Sequence, residues 1–173
     1  MIQFLAAALV LIFPALLIVA ALRDAVSYTI PNWISLGLLA AFPPAALAIG
    51  LPLPTIGLHA GLGVLALVAG MAMFALRWLG GGDAKLFAAA ALWLGWSAAA
   101  SFLLVTCIAG GALALSLLAI RSVWLRPLVS SGPSWLNRLA EPGENVPYGV
   151  AICVGALAAL PASPLMKGLE VLA

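Results

Sequence analysis

Charge is what this sequence lacks. Seven Lys+Arg and five Asp+Glu are all it holds among 173 residues, 7% of the chain, while 66% of residues are hydrophobic. A water-soluble domain carries about 25% charged residues, because its surface must face water. So few charges cannot coat a globule of this size, and lipid has to be the main solvent. A soluble enzyme and a disordered tail are excluded. A nucleic-acid-binding module is excluded as well, because the cations are too few to form a basic stripe. Cysteine is scarce too: Cys107 and Cys153 lie far apart in apolar runs, which gives neither a disulfide framework nor a zinc pattern. The single histidine, His59, has no second His or acid at ligand spacing, so no metal site and no cofactor are expected.

Long apolar runs are what the chain has instead. About 20 apolar residues cross a bilayer as a helix. Ile2 to Leu22 is such a run, interrupted by Gln3 and Pro14. It is too long for a signal-peptide core, and its charge follows the run rather than preceding it. Trp33 to Ile49 makes a second span after a polar cluster from Arg23 to Asn32. Gly50 to Gly57, with Pro52 and Pro54, reads as a tight turn, and Leu58 to Leu79 as a third span. Ala84 to Leu125 is too long for one helix. A break at Gly95-Trp96-Ser97 divides it into a short fourth helix and a longer fifth, with Trp93 and Trp96 suited to the membrane interface. Arg126 to Val146 is the one extended polar segment, and Pro147 to Leu172 supplies a sixth span. The expectation is an all-α polytopic membrane protein with six transmembrane helices, one domain over residues 1–173.

If six helices alternate across the membrane, Arg23, Arg77, Lys85, Arg121, Arg126 and Arg138 fall on one side and Lys167 alone on the other. Basic residues collect on the cytoplasmic side. That face is therefore cytoplasmic and both termini are expected outside. Five or seven spans would scatter the same charges.

With so few ionisable groups, each one near the membrane needs a reason. Glu141 and Glu144 sit in the polar segment and Glu170 near the C-terminus, where solvated charges are ordinary. Asp24 and Asp83 both lie where a helix meets the cytoplasmic boundary. Asp83 follows three glycines and precedes a helix, so it fits an N-cap. Asp24 opposes the helix dipole at the end of helix one, where pairing with Arg23 would account for it. The chemical alternative brings the two carboxylates together over a water. Two close carboxylates do not both ionise cheaply, so the pair shares a proton. The ionised member then takes a proton from water while the other polarises a carbonyl. A pathway for ions or protons through a small transporter would use the same two acids.

Three segments bear on that choice. Gly80-Gly81-Gly82-Asp83 fits the G-x-G-D pattern of membrane aspartyl proteases, where glycine admits an extended substrate closely and takes dihedrals other residues avoid. Asp24-Ala25-Val26-Ser27-Tyr28-Thr29-Ile30-Pro31-Asn32 places an acid at fixed distance before Ile-Pro-Asn. Val146-Pro147-Tyr148-Gly149-Val150-Ala151-Ile152 opens the sixth span. Together, in this order, they resemble the type IV prepilin peptidase family, and the small size resembles its Flp/Tad-pilus branch. The resemblance implies an aspartic endopeptidase of the bacterial inner membrane with a six-helix core. It implies removal of a short basic leader from pilin or pseudopilin precursors at the cytoplasmic face, with Asp24 and Asp83 as the catalytic pair. The expected partners are that protein substrate and the lipid bilayer, with no nucleic acid. Larger members carry a paired-cysteine segment that binds zinc and accompanies N-methylation. Both cysteines here lie in spans, so neither property is expected. The Asp24–Pro31 loop also lacks the basic residues that the resemblance would bring.

Supporting positions follow around the pair. Gly80 and Gly82 would line the substrate path. Lys85 either anchors the helix at the interface or tunes the two acids. Pro31 and Asn32 end the loop and start helix two, with Asn32 as its cap. Tyr148 either lines the cleft or sits at the interface. His59 is expected near the outer end of helix three, away from the acids, as an interfacial or helix-packing residue.

Overall fold

Proline and glycine, rather than charge, divide this chain into helices. The computed structural model describes residues 2–122, 137, 139–141 and 145–172, and no strand occurs among them. Most of the polar segment, including Arg126, Arg138 and Glu144, lies outside the described residues.

Helix α1 covers Ile2–Ser27, five residues beyond the apolar run, so Asp24 is inside the helix and not after it. Its buried face runs through Ala6, Val10, Phe13, Leu17 and Ala20, alternating steps of four and three, and the next step is Asp24. This is the spacing of a single helical stripe. Arg23 lies on the exposed face, because neighbours in a helix point apart, and it forms no pair with Asp24.

Helix α2 (Asn32–Ile49) ends at Gly50, whose φ of 78° closes the helix with amide bonds from Gly50 to Leu47 and Leu51 to Ala46. Helix α3 (Leu53–Ala75) begins earlier than the turn residues suggest, because Pro52 and Pro54 suit a first turn that needs no N–H donors. Its buried stripe is His59, Leu62, Ala66 and Gly70, against helix α4 (Gly81–Leu94). Gly70 fits because a Cβ there would lie 3.0 Å from that of Ala84. Helix α4 is buried from Ala88 through Leu94 and is the centre of the molecule. Gly95, at φ 69°, ends it and starts helix α5 (Trp96–Ile120).

The far end of the bundle is knit by aromatic rings. Trp93 is fully buried, stacks on Phe13 at 5.1 Å and donates its Nε1–H to the Leu38 carbonyl at 2.9 Å. It is a core residue and not an interfacial one; Trp96 is the exposed member of the two. His59 is 1% exposed, pairs its Nδ1 with the Leu92 carbonyl at 2.7 Å and stacks on Phe42, as a packing histidine should.

The expected sixth span divides. Helix α6 (Tyr148–Ala159) passes through a 3-10 turn at Leu160–Ala162 into helix α7 (Pro164–Leu172), bent by 47°. Four helices, α1, α2, α3 and α5, are long and apolar enough to cross a membrane, and the bent pair would make five. The count of six is not reached because α4 has 14 residues, about 21 Å against a hydrocarbon core of about 30 Å.

Candidate active site

Asp24 and Asp83 are the two buried carboxylates among the described residues, 4% and 8% exposed. The α1 stripe turns Asp24 inward, and Asp83 sits in the first turn of the central helix. Both line one open cleft of about 520 Å³ and are near enough to feel each other's charge. The Gly149 amide, at the start of α6, donates to Asp24 Oδ2 at 2.7 Å and also faces Asp83. Asp83 Oδ1 is buried without a hydrogen-bond partner. A buried acceptor of this kind is satisfied by water or by a bound polar group.

Glycine makes this approach possible by leaving space. A Cβ on Gly149 would lie 2.9 Å from Asp24 Oδ2 and from Ile30 Cδ1. One on Gly80 would lie 2.7 Å from Asp83 Oδ2, and one on Gly82 would lie 3.1 Å from Ile30 Cβ. None of Gly80, Gly81 and Gly82 has positive φ, so unusual dihedrals do not explain the triple glycine. Gly80 precedes the helix with extended backbone, and Asp83, three residues on, reaches back beside it as an acid does in a capping box. Asp83 is thus not the N-cap that its place after three glycines suggested: Gly80 holds that position, and Asp83 is the third residue of the helix.

Two further residues shape the cleft. Tyr28 and Arg77 are the non-glycine residues with positive φ among those described, at 53° and 61°, and both line this cavity. Tyr28 closes α1 with its amide on the Asp24 carbonyl at 2.9 Å. Arg77 closes α3: its amide meets the Phe74 carbonyl and that of Trp78 the Met73 carbonyl, each at 2.9 Å, in a Schellman arrangement.

Of the positions singled out in the sequence, Asp24, Asp83, Gly80 and Tyr148 line the cleft. Gly82 packs beneath it on Ile30. Asn32 and Lys85 lie elsewhere, in an apolar groove of about 590 Å³ between α2, α3 and α4. There Lys85 Nζ donates to Asn32 Oδ1 at 2.9 Å. Asn32 is the first residue of α2 and does not cap it; Pro31 holds the capping position, its carbonyl accepting from the Ile34 amide. In the Ile-Pro-Asn run it is Ile30 that touches the site. Gly149, Tyr28 and Arg77 escaped the sequence reading. Gly149 stood in the third motif, whereas nothing in the sequence marks the left-handed residues.

Fold and site together define a class: a helical membrane protein whose buried acids meet in one open cleft at the helix ends. The chain belongs to the type IV leader peptidase family, whose sequence model matches residues 11–115. The match spans both aspartates and ends before Tyr148 and Gly149. Comparison with curated proteins and with solved structures finds no match.

Proposed function

We propose that this protein is an aspartic endopeptidase of the bacterial inner membrane that removes the short leader from type IV prepilins of the Flp-like kind, with Asp24 and Asp83 as its catalytic pair. One observation carries the reading. In a chain belonging to a leader peptidase family, the two buried carboxylates line a single cleft, and one of them keeps a free oxygen. A water between them loses a proton to the ionised aspartate and attacks the scissile carbonyl carbon. The protonated aspartate polarises that carbonyl oxygen, and the C–N bond breaks as the amine leaves with a proton.

The cleft end of the bundle also carries Arg23, Arg77, Lys85 and Arg121, whereas Lys167 lies on α7, beside the far end of α2. This supports a cytoplasmic cleft. Trp96 donates to the Leu58 carbonyl at 3.1 Å, so α5 starts beside the start of α3, which supports reading short α4 as a pass between them. We therefore read one domain with six passes, α4 being a short one.

The test is co-expression with the major pilin precursor, scored by gel shift and N-terminal sequencing, for wild type, Asp24→Asn and Asp83→Asn. Asn keeps the shape and cannot hold the charge. Loss of cleavage in both variants at normal membrane levels is expected. Cleavage that survives either change removes that aspartate from the chemistry. A wild type that cuts no precursor, but moves ions in proportion to the two charges, makes the protein a transporter instead.

A further inference from the structure

The cleft contains a third charged group that the hydrolysis does not use. Arg77 lines it beside Asp24 and Asp83. Its side chain makes no hydrogen bond or ion pair among the described residues. A guanidinium stays charged and carries five donors with no acceptor, so it calls for a planar anion that can take two of its N–H groups. Arg77 shares the cleft with the two aspartates and pairs with neither. Pairing would hold them ionised together and remove the shared proton that hydrolysis needs.

Its backbone is fixed as well. Arg77 takes φ 61° at the position after α3 where glycine is the ordinary occupant, and two amide bonds hold that turn. The side chain therefore leaves from a rigid frame at the mouth of the cleft. Strained residues gather where the surrounding structure has a use for them. Here the other such residue, Tyr28, lines the same cavity.

We propose that Arg77 is a specificity-determining residue whose guanidinium receives a carboxylate of the substrate beside the bond that is cut. The inference rests on the peptidase reading of the same cleft and adds the charge that the cleft selects.

The experiment uses the full chain in detergent with synthetic precursor peptides. Glu, Gln or Lys is placed in turn at each position on either side of the cleaved bond. Wild type, Arg77→Gln and Arg77→Glu are compared by kcat/KM. For wild type, Glu at one position is expected to exceed Lys by about tenfold, with the difference mainly in KM. Arg77→Gln flattens that preference, and Arg77→Glu reverses it toward Lys at the same position. A merely structural arginine would lower all peptides alike and reverse nothing. Equal wild-type rates for all three side chains at every position overturn the inference and leave the peptidase reading intact. A basic anchor for lipid phosphate gives that same flat result. If Arg77→Glu does not fold, Arg77→Gln decides: a retained preference for Glu rejects the proposal. No cleavage of any peptide by wild type defeats the peptidase reading itself, and the inference with it.

Discussion

Glycine, more than any charged neighbour, sets the two aspartates in place. The amide of Gly149 holds Asp24, and the missing side chains of Gly149 and Gly80 let backbone stand against both carboxylates. An alanine at 149 must push Asp24 or Ile30 aside by several tenths of an ångström. Misplacement on the scale of 1 Å costs about a hundredfold in rate. Gly149→Ala is therefore expected to lower cleavage by roughly ten- to a hundredfold with the protein still present in the membrane, read as initial rates at matched levels. The triple glycine gives an internal comparison. Gly80→Ala meets Asp83 Oδ2 at 2.7 Å and should impair cleavage severely, whereas a Cβ on Gly81 makes an ordinary 3.4 Å contact with Phe74. Equal damage from both substitutions would mean that the motif serves backbone flexibility and not space. Asp24 and Asp83 were legible in the sequence because acids are so rare there. Tyr28 and Arg77 were not, because residue type says little about φ when tertiary contacts impose it.

At the scale of elements, small residues decide how closely helices meet. Helices α5 and α6 press together where a Cβ on Gly155 would collide with Thr106 Oγ1 and come within 3.0 Å of the Phe102 carbonyl. Backbone atoms cannot give way as a flexible side chain can. Gly155→Ala should cost about 1–3 kcal/mol, seen as a lower Tm in detergent. Gly111, on the same α5, has nothing within 4 Å of its would-be Cβ, so Gly111→Ala should leave Tm unchanged or raised slightly. A gain at both sites would mean that the helix preference of alanine outweighs the close packing at Gly155. The break between α4 and α5 was readable, since Gly95 is the left-handed residue that the turn requires. Two other boundaries were not. Helix α1 runs on through Ser27 because Asp24 continues a buried stripe, although Arg23 and Asp24 look like a polar end. The final span divides at Leu160–Ala162, where Pro161 removes a donor and Pro164 opens a new helix. Prolines are common enough in membrane helices that their presence alone does not announce a bend; Pro14, inside α1, ends nothing.

Across the whole molecule, the cleft and the described basic residues other than Lys167 lie at one end, and this arrangement makes the orientation testable. The loop from Arg77 to Gly80 belongs to the cleft end, and the turn at Gly50–Pro52 to the other, joined by the continuous α3. A crossing helix must place these two loops on opposite sides of the membrane. Introduced cysteines report this directly in a background with Cys107→Ala and Cys153→Ala. In intact cells a membrane-impermeant maleimide should label Leu51→Cys and spare Trp78→Cys; after the membrane is opened it should label both. Trp78 is well placed as a probe because it is 68% exposed at the rim of the cleft. The reverse pattern would turn the cleft outward and contradict the basic-residue argument. Labelling of both positions in intact cells would deny that α3 crosses at all. The cleavage assay and this labelling are independent, since a cleft can be chemically competent on either side. A leader peptidase whose precursors present their basic ends to the cytoplasm requires both results to agree.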